Sequence, residues 1–192
     1  MNNRLFLSLY FSTLIFWVCF ELYLVLRDVR KKNIDTSAEA ASSRFFMPCI
    51  ASAVLLAYIS EHVARWRMSI SQNTLLEISL FVMWAGLIIR VWSIRTLREF
   101  FCTVISVQDD QTIVTAGPYQ YVRHPSYSGA LCTFLGAAIA TGSWMGLLIA
   151  PSIVFLGYHH RMNIEEQVLV SHFDKEYVDY MEDTKRIIPK VY

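Results

Sequence analysis

A polar stretch between two apolar regions carries the residues best suited to chemistry. Residues 111–127 read Q-T-I-V-T-A-G-P-Y-Q-Y-V-R-H-P-S-Y and include an arginine, a histidine and three tyrosines. The Gly117-Pro118 pair predicts a turn, and Pro125 biases His124 away from the helical region. A helix that begins near Pro125 would offer free backbone amides to an anionic or polar ligand. The stretch therefore predicts a binding site; an ordinary loop with aromatic anchors at a bilayer interface is the alternative.

A second polar cluster, Arg161, Glu165 and Glu166, follows the last apolar run. Arg161 and Glu165 are four residues apart, so they share one face of a helix. A cation and an acid on one face suit a binding site. An ordinary helical ion pair at the water boundary is the alternative.

The apolar segments 126–141 and 144–161 predict how the two clusters meet. Only two residues separate these segments, so two helices should form a tight antiparallel hairpin. The hairpin would bring Arg161, at the end of one helix, beside His124, at the start of the other. We therefore expect one pocket with a cation, acids and aromatic walls, beneath residues 111–114 and bordered by lipid.

The composition predicts an all-α, multi-pass membrane protein. The chain is 55% hydrophobic and 17% charged, against about 25% charged in a typical soluble domain. Residues 5–26, 45–64 and 75–94 are apolar enough and long enough to span a bilayer. Together with the hairpin they give about five transmembrane helices. Residues 27–44 read as a solvated loop with a basic start.

Charged residues inside the predicted spans lie near their ends, among them Glu21 and Arg90. For Glu21 and Arg90 we expect side chains that reach the membrane interface. Inward-facing side chains with a functional role are the alternative.

The lysines and arginines predict the orientation of the bundle. Thirteen lie on the side of the first loop, the long third interval and the C-terminal tail, three lie on the other side, and Arg90 lies within a span. The three on the other side are Arg4, Arg65 and Arg67. Because cytoplasmic loops carry the excess of Lys and Arg, the predicted site faces the cytosol.

The rest of the chain completes a division into two regions. Residues 100–107 and 112–114 are β-branched and aromatic, which favours an ordered extended pocket wall. Residues 169–180 show the spacing of an amphipathic helix. We expect residues 1–95 to form N-terminal transmembrane helices and residues 96–192 to form a catalytic region with a cofactor-covering loop, the hairpin and a cytosolic C-terminal helix.

Several familiar sites are missing from the sequence. No G-x-G occurs, which excludes the Rossmann fingerprint, and neither a P-loop nor H-E-x-x-H is present. Only His159 and His160 are adjacent histidines, and helix neighbours point about 100° apart, which suits a metal poorly. A net charge of +1 gives no reason to expect nucleic acid. We expect no metal and no nucleic-acid partner.

Three segments together resemble the isoprenylcysteine carboxyl methyltransferase family. They read G-P-Y-Q-Y-V-R-H-P-S-Y at 117–127, R-M-N-I-E-E-Q-V-L-V-S-H-F-D-K-E-Y-V-D-Y at 161–180 and R-I-I-P at 186–189. The similarity covers residues 104–189, and the pairing of R-H-P-x-Y with R-x-x-x-E-E at this separation is specific. The N-terminal half matches only as hydrophobic spans. The wider group includes phospholipid N-methyltransferases and, more distantly, membrane sterol reductases.

The resemblance implies an enzyme that binds S-adenosylmethionine in a cytosolic pocket closed by the C-terminal segment. Arg161 matches the arginine that holds the substrate carboxylate, so Arg161 and Glu165 are the implied catalytic residues. By matching position, the cofactor would contact Gln111, Thr112, Ile113, Val114, Tyr119, His124, Pro125, Ser126, Tyr127 and Glu165.

Three positions depart from the family pattern. Gln111 stands where histidine is common, Val104 where some members have glutamine, and Asp174 where glycine is usual.

Methyl transfer to the carboxylate of an isoprenylcysteine-like lipid fits these residues. The carboxylate nucleophile is already ionised near neutral pH, so positioning is the main requirement and no general base is needed. The alternatives are phospholipid amine N-methylation, with Glu165 or Glu166 as base, an NADPH-dependent membrane reductase, and a membrane scaffold without enzymatic activity.

Overall fold

The computed structural model describes residues 3–28, 36–108 and 110–192. The described residues form six α-helices and three short 3-10 turns, with no β-strand among them, so the predicted all-α class is confirmed. The helices are α1 (Asn3–Asp28), α2 (Thr36–Glu61), α3 (Gln72–Leu97), α4 (Pro125–Ala140), α5 (Trp144–Phe173) and α6 (Lys175–Asp183). The 3-10 turns are Ala64–Trp66, Arg98–Phe100 and Gly117–Gln120.

Three helices in the described part of the chain are long and apolar enough to cross a membrane. The spans are Arg4–Asp28, Ser37–Ser60 and Gln72–Phe100, in α1, α2 and α3. Large apolar side chains cover their outer faces, and Phe81 is 77% exposed. Such a surface is stable against lipid rather than water, because soluble proteins rarely expose contiguous apolar patches of this kind.

The helices pack on one another in the order α1, α3, α4, α5 and α2. α3 packs on α4 and α2 packs on α5 over most of their lengths, while α1 packs on α3. The α3–α4, α4–α5 and α2–α5 pairs are antiparallel. The ends of α1 and α3 therefore lie at the same end of the bundle as the starts of α2 and α4.

Glycines set the close approach of α3 and α4. A Cβ atom at Gly129 would lie 2.7 Å from the backbone nitrogen of Arg90, and one at Gly86 would lie 2.6 Å from the carbonyl oxygen of Gly129. Only a glycine tolerates backbone contacts this short. Arg90 is consequently held against the first turn of α4.

The predicted hairpin is confirmed in α4 and α5. Gly142 takes a positive φ of 62° in the turn, where a residue without Cβ is unstrained. The Ser143 hydroxyl then accepts a hydrogen bond from the Gly146 amide at 3.4 Å and caps α5. The hairpin brings the end of the apolar part of α5 beside the start of α4.

The expected solvated loop at residues 27–44 is wrong over its second half. α2 already begins at Thr36, because this segment is rich in alanine and packs along α5, and tertiary packing decides a helix more than its propensity does. Arg30, Lys31 and Lys32, the basic start of that loop, lie outside the described residues.

The single amphipathic helix expected over residues 169–180 is instead divided at Asp174. Asp174 has φ 50° and ψ −125°, ends α5 and precedes α6. Glycine adopts this conformation readily, whereas an aspartate there stores strain of about 1–3 kcal/mol. The change in direction lets Tyr177 and Tyr180 pack into the core, where both are buried.

Candidate active site

A cavity of about 250 Å³ lies at the end of the bundle where α1 and α3 finish and α2 and α4 begin. Ten of the eleven site residues predicted from the sequence line it: Gln111, Thr112, Ile113, Val114, Tyr119, His124, Ser126, Tyr127, Arg161 and Glu165. The remaining one, Pro125, is fully buried as the first residue of α4. The structure thus gathers residues that are separated by more than fifty positions in the sequence.

Residues 100–107 and 111–114 form one wall of the cavity, as the sequence predicted. They have neither helix nor strand beyond Phe100, so carboxylates from neighbouring helices hold the wall. The Thr103 amide donates to Asp28 Oδ2 at 2.7 Å, and the Ile105 amide donates to Glu39 Oε2 at 2.9 Å. The end of α1 and the start of α2 therefore fix its position.

The approach to α4 is fixed by the C-terminal segment. The backbone amides of Arg123 and His124 donate to the carbonyls of Lys185 and Arg186, at 2.7 and 2.8 Å. The Tyr180 hydroxyl donates to the Tyr119 carbonyl at 2.7 Å. Burial raises the pKa of Tyr180 to about 12, so its hydroxyl keeps the proton it donates.

Glu166 is the centre of a closed charged group that we call the Glu166 knot, made of Arg123, His124, Glu166 and Arg186. Its Oε1 accepts from Arg123 Nε at 3.0 Å and contacts His124 Nε2 at 3.1 Å, while Oε2 accepts from Arg186 Nη2 at 2.6 Å. Burial raises the pKa of Glu166, but the hydrogen bond from His124 and the charges of both arginines outweigh it and lower the pKa to about 2. The knot ties α5 to the start of α4 and to the C-terminal segment.

A second group, which we call the Arg161 cluster, faces the cavity and contains Glu39, Ser42, Tyr127, Arg161 and Glu165. Arg161 Nη1 and Nη2 donate to Glu39 Oε1 and Oε2 at 3.3 and 3.1 Å. Arg161 Nη1 also donates to Ser42 Oγ at 2.8 Å, and Nη2 donates to the Thr103 carbonyl at 2.5 Å.

Tyr127 joins the cation and the acid of the Arg161 cluster. Its hydroxyl accepts from Arg161 Nε at 3.1 Å and donates to Glu165 Oε2 at 2.6 Å. His124 Nδ1 lies 3.9 Å from the same Glu165 oxygen, and its ring stacks on Tyr127 with the centroids 5.4 Å apart. The predicted meeting of Arg161 with His124 is therefore confirmed.

The sequence interpretation missed Glu39 and Ser42. Both were assigned to a solvated loop, yet they lie three residues apart on α2 and face Arg161. A spacing of three places two residues on one face of a helix. The sequence therefore contained this pattern, but it could be interpreted only once residues 36–44 were known to be helical.

The expectation that Glu21 and Arg90 reach the membrane interface is wrong. Both side chains line the cavity and form an ion pair, with Arg90 Nη2 donating to Glu21 Oε2 at 2.6 Å. Arg90 Nη1 donates to Ser126 Oγ at 2.7 Å, and Trp17 Nε1 donates to Glu21 Oε1 at 3.3 Å. Charges inside a membrane span are costly unless they pair, and Arg90 has its partner inside the bundle.

The apolar outer faces, the buried charges and the cavity define an integral membrane protein with a cavity lined by charged and apolar side chains at one end of its helices. A family model described as "Phospholipid methyltransferase" matches residues 75–176, just over half of the chain, and the protein belongs to this family.

Curated relatives named protein-S-isoprenylcysteine O-methyltransferase confirm the resemblance noted from the motifs. The chain is 34% identical over 82 residues to protein-S-isoprenylcysteine O-methyltransferase of Schizosaccharomyces pombe, covering 43% of this chain and 35% of the relative. It is 30% identical over 108 residues to protein-S-isoprenylcysteine O-methyltransferase B of Arabidopsis thaliana, covering 55% of each. It is 25% identical over 193 residues to protein-S-isoprenylcysteine O-methyltransferase A of the same plant, covering 96% of this chain and 93% of the relative.

The chain thus spans about a third to a half of the length of the first two relatives. A solved structure of the eukaryotic intramembrane Ras methyltransferase ICMT is similar in fold, with a TM-score of 0.58 and 24% identity. That match covers 78% of this chain and 53% of the solved chain.

Proposed function

We propose that this protein transfers a methyl group from S-adenosylmethionine to the carboxylate of an isoprenylcysteine-like lipid. The observation that carries the proposal is the buried Arg161, which is 5% exposed and presents both Nη atoms to a carboxylate beside the cavity. Arginine binds carboxylates in this paired geometry. Curated relatives named protein-S-isoprenylcysteine O-methyltransferase support the choice of acceptor.

The residues around the cavity fit S-adenosylmethionine. Glu165 offers a carboxylate for the ammonium group, Tyr119 and Tyr177 offer aromatic walls, and the backbone of residues 111–114 borders the same space. His124 caps α4, and Pro125, Ser126 and Tyr127 form its first turn. The His124 amide already donates to the Arg186 carbonyl and the Tyr127 amide to the His124 carbonyl, and Pro125 has no amide hydrogen, so side chains rather than amides face the cofactor space here. When bound, the cofactor supplies an electrophilic methyl group on a positively charged sulfur.

The protein's own part in the reaction is positioning. Bound S-adenosylmethionine would supply the methyl group, and its transfer from sulfur to an acceptor oxygen would give a methyl ester and a neutral thioether with no proton to move. Arg161 orients the carboxylate for in-line attack, and the packed walls exclude water. No general base is needed, because the acceptor is ionised at neutral pH.

The same proposal includes the membrane arrangement. α1 to α5 form five spans, with the cavity and the C-terminal segment in the cytosol, as the excess of Lys and Arg at that end supports. Residues 96–192 serve as the catalytic region and residues 1–95 as N-terminal transmembrane helices. Val25 of α1 and Phe46 and Met47 of α2 line the cavity and offer an apolar surface to the lipid tail.

Transfer of labelled methyl tests the proposal directly. Purified protein in lipid vesicles is incubated with labelled S-adenosylmethionine and an N-acetyl-S-prenylcysteine, and the labelled ester is followed by mass spectrometry. Arg161→Ala should lower transfer at least about thirtyfold, because truncating one partner of a buried hydrogen-bonded charge pair costs about 2–5 kcal/mol. Cofactor affinity should stay within about threefold.

Arg65→Ala is the matched control, since Arg65 is exposed at the opposite end of the bundle. It should leave transfer unchanged. Loss of cofactor binding together with transfer in the Arg161 variant would remove the assignment of Arg161 to the acceptor.

Methylation of a phospholipid amine is the second candidate. The description of the family model and the carboxylates of Glu39 and Glu165 in the cavity, which suit an ammonium acceptor, favour it. The same assay with phosphatidylethanolamine decides between the two, because only this reaction places label in the phospholipid. Calorimetry then separates the two methyltransferase candidates from the remaining alternatives. A methyltransferase binds S-adenosylmethionine, a reductase binds NADPH, and a scaffold binds neither cofactor.

A further inference from the structure

Arg161 has no free hydrogen-bond donor in this structure. A guanidinium carries five N–H groups, and Arg161 makes five hydrogen bonds: one to Tyr127, two to Glu39, one to Ser42 and one to the Thr103 carbonyl. An acceptor carboxylate that binds Arg161 must therefore replace one of these partners.

Glu39 is the partner whose replacement leaves the chemistry of the site intact. Glu39 accepts hydrogen bonds from both Nη atoms of Arg161, as an acceptor carboxylate would. Its side chain lines the cavity and is 21% exposed. Tyr127, Ser42 and the Thr103 carbonyl are neutral, and losing one of them to an anion would place two carboxylates against a single arginine. Exchange of one carboxylate for another keeps the charge of Arg161 balanced.

We infer that Glu39 occupies the carboxylate site of Arg161 in the ligand-free protein, and that an acceptor carboxylate binds by exchanging with it. This inference rests on the proposed function. Glu39 is then a specificity-determining residue: a neutral acceptor of the same shape has no charge with which to replace it, since a buried arginine without a counter-charge is strongly destabilising.

Exchange of Glu39 for the acceptor carboxylate should also affect the wall of the cavity. Glu39 Oε2 accepts from the Ile105 amide as well as from Arg161 Nη2. When Glu39 leaves Arg161, one of the two carboxylates that anchor residues 103–105 is displaced. Binding of the acceptor is thereby coupled to the wall that borders the cofactor-lining residues 111–114.

Calorimetry on the whole 192-residue chain tests this exchange without any turnover. The probes are an N-acetyl-S-prenylcysteine and its carboxamide, both titrated in the presence of S-adenosylhomocysteine. Glu39→Gln should bind the acid about tenfold more tightly than the wild type, because no carboxylate competes for Arg161, while affinity for the carboxamide stays within about twofold. In steady-state assays the variant should show a lower KM for the acid with kcat within about threefold.

Glu77→Gln is the matched control, since Glu77 is an exposed glutamate near the far end of α3. It should change neither affinity. Binding of S-adenosylhomocysteine reports on folding. If Glu39→Gln does not bind S-adenosylhomocysteine, Glu39→Asp replaces it as the test variant. Glu39→Asp should also bind the acid more tightly than the wild type, because its shorter side chain binds Arg161 less well.

The outcomes separate the inference from the function on which it rests. Weaker or unchanged binding of the acid by the Glu39 variants, with binding by the wild type intact, overturns the inference alone. It would mean that Glu39 orients Arg161 without occupying the acceptor's place. If the wild type and the variants all fail to bind the acid, the proposed acceptor is wrong, and the inference falls with it.

Discussion

The Glu166 knot and the Arg161 cluster are neighbours on α5 but differ in what surrounds their charges. Glu166 is 4% exposed and surrounded by His124 and two arginines, whereas Glu165 faces the cavity with 30% of its side chain exposed. A carboxylate with all its partners inside the protein contributes to the fold. A carboxylate that keeps an open side can bind a ligand.

The comparison predicts that neutralising the two adjacent glutamates changes stability by very different amounts. Glu166→Gln should lower the free energy of unfolding by about 3–5 kcal/mol, because it leaves buried cations without a counter-charge. Thermal unfolding in detergent measures the loss. Glu165→Gln should change stability by less than about 1 kcal/mol, and an equal loss in both variants would erase the distinction between the two groups.

Lowering the pH should break the ion pairs of the Glu166 knot in a defined pH range. The pKa of Glu166 falls from 4.5 to about 2 on folding, so the stability it contributes is fully present above pH 4.5 and is lost as the pH falls from there toward 2. The expected loss is about 3 kcal/mol. Unfolding measured from pH 6 to pH 3 should show a steeper decline for the wild type than for Glu166→Gln; parallel curves would contradict the low pKa.

Within the Arg161 cluster, neutralising Glu165 should change ligand binding rather than stability. Glu165→Gln should weaken S-adenosylmethionine about ten- to a hundredfold, since a hydrogen bond to a charged group contributes about 1.5–3 kcal/mol. Calorimetry measures the affinity. Unchanged affinity would remove Glu165 from the cofactor site and leave it as a partner of Tyr127 only.

The smallest effect on activity is expected at Tyr127, which links Arg161 to Glu165 within the Arg161 cluster. Tyr127→Phe removes the hydroxyl between Arg161 and Glu165 and should lower kcat/KM about fivefold, which corresponds to about 1 kcal/mol. Tyr121→Phe is its control, because Tyr121 is 56% exposed and lies outside the cavity lining. Equal rates for the two variants would show that this link is dispensable.

Most of the cavity could be predicted from the C-terminal half of the sequence. Gly117-Pro118, the proline after His124 and the two-residue gap in the hairpin are local signals, because backbone restrictions act between neighbours. They placed α4 against α5 and His124 near Arg161. The interruption at Asp174 was not predicted from the spacing of residues 169–180, which indicates one helix. Only the family resemblance, in which glycine is usual at this position, implied a turn there.

The N-terminal contribution to the site could not be read in the same way. Glu21, Arg90 and Glu39 have ordinary neighbours in the sequence, and a charge near the end of an apolar span fits the membrane interface as well as the interior. Their partners are 69 and 122 residues away. No window of local sequence contains such a pair.

The sequence by itself determined the class of protein, its apolar helices and the residues around the start of α4 and the middle of α5, because hydrophobic periodicity and turn chemistry are local properties. Tertiary structure alone decided which charges face each other. Pairing inside a membrane depends on which helices pack together, and here the contact of α1 with α3 selects Glu21 for Arg90, and the contact of α2 with α5 selects Glu39 for Arg161.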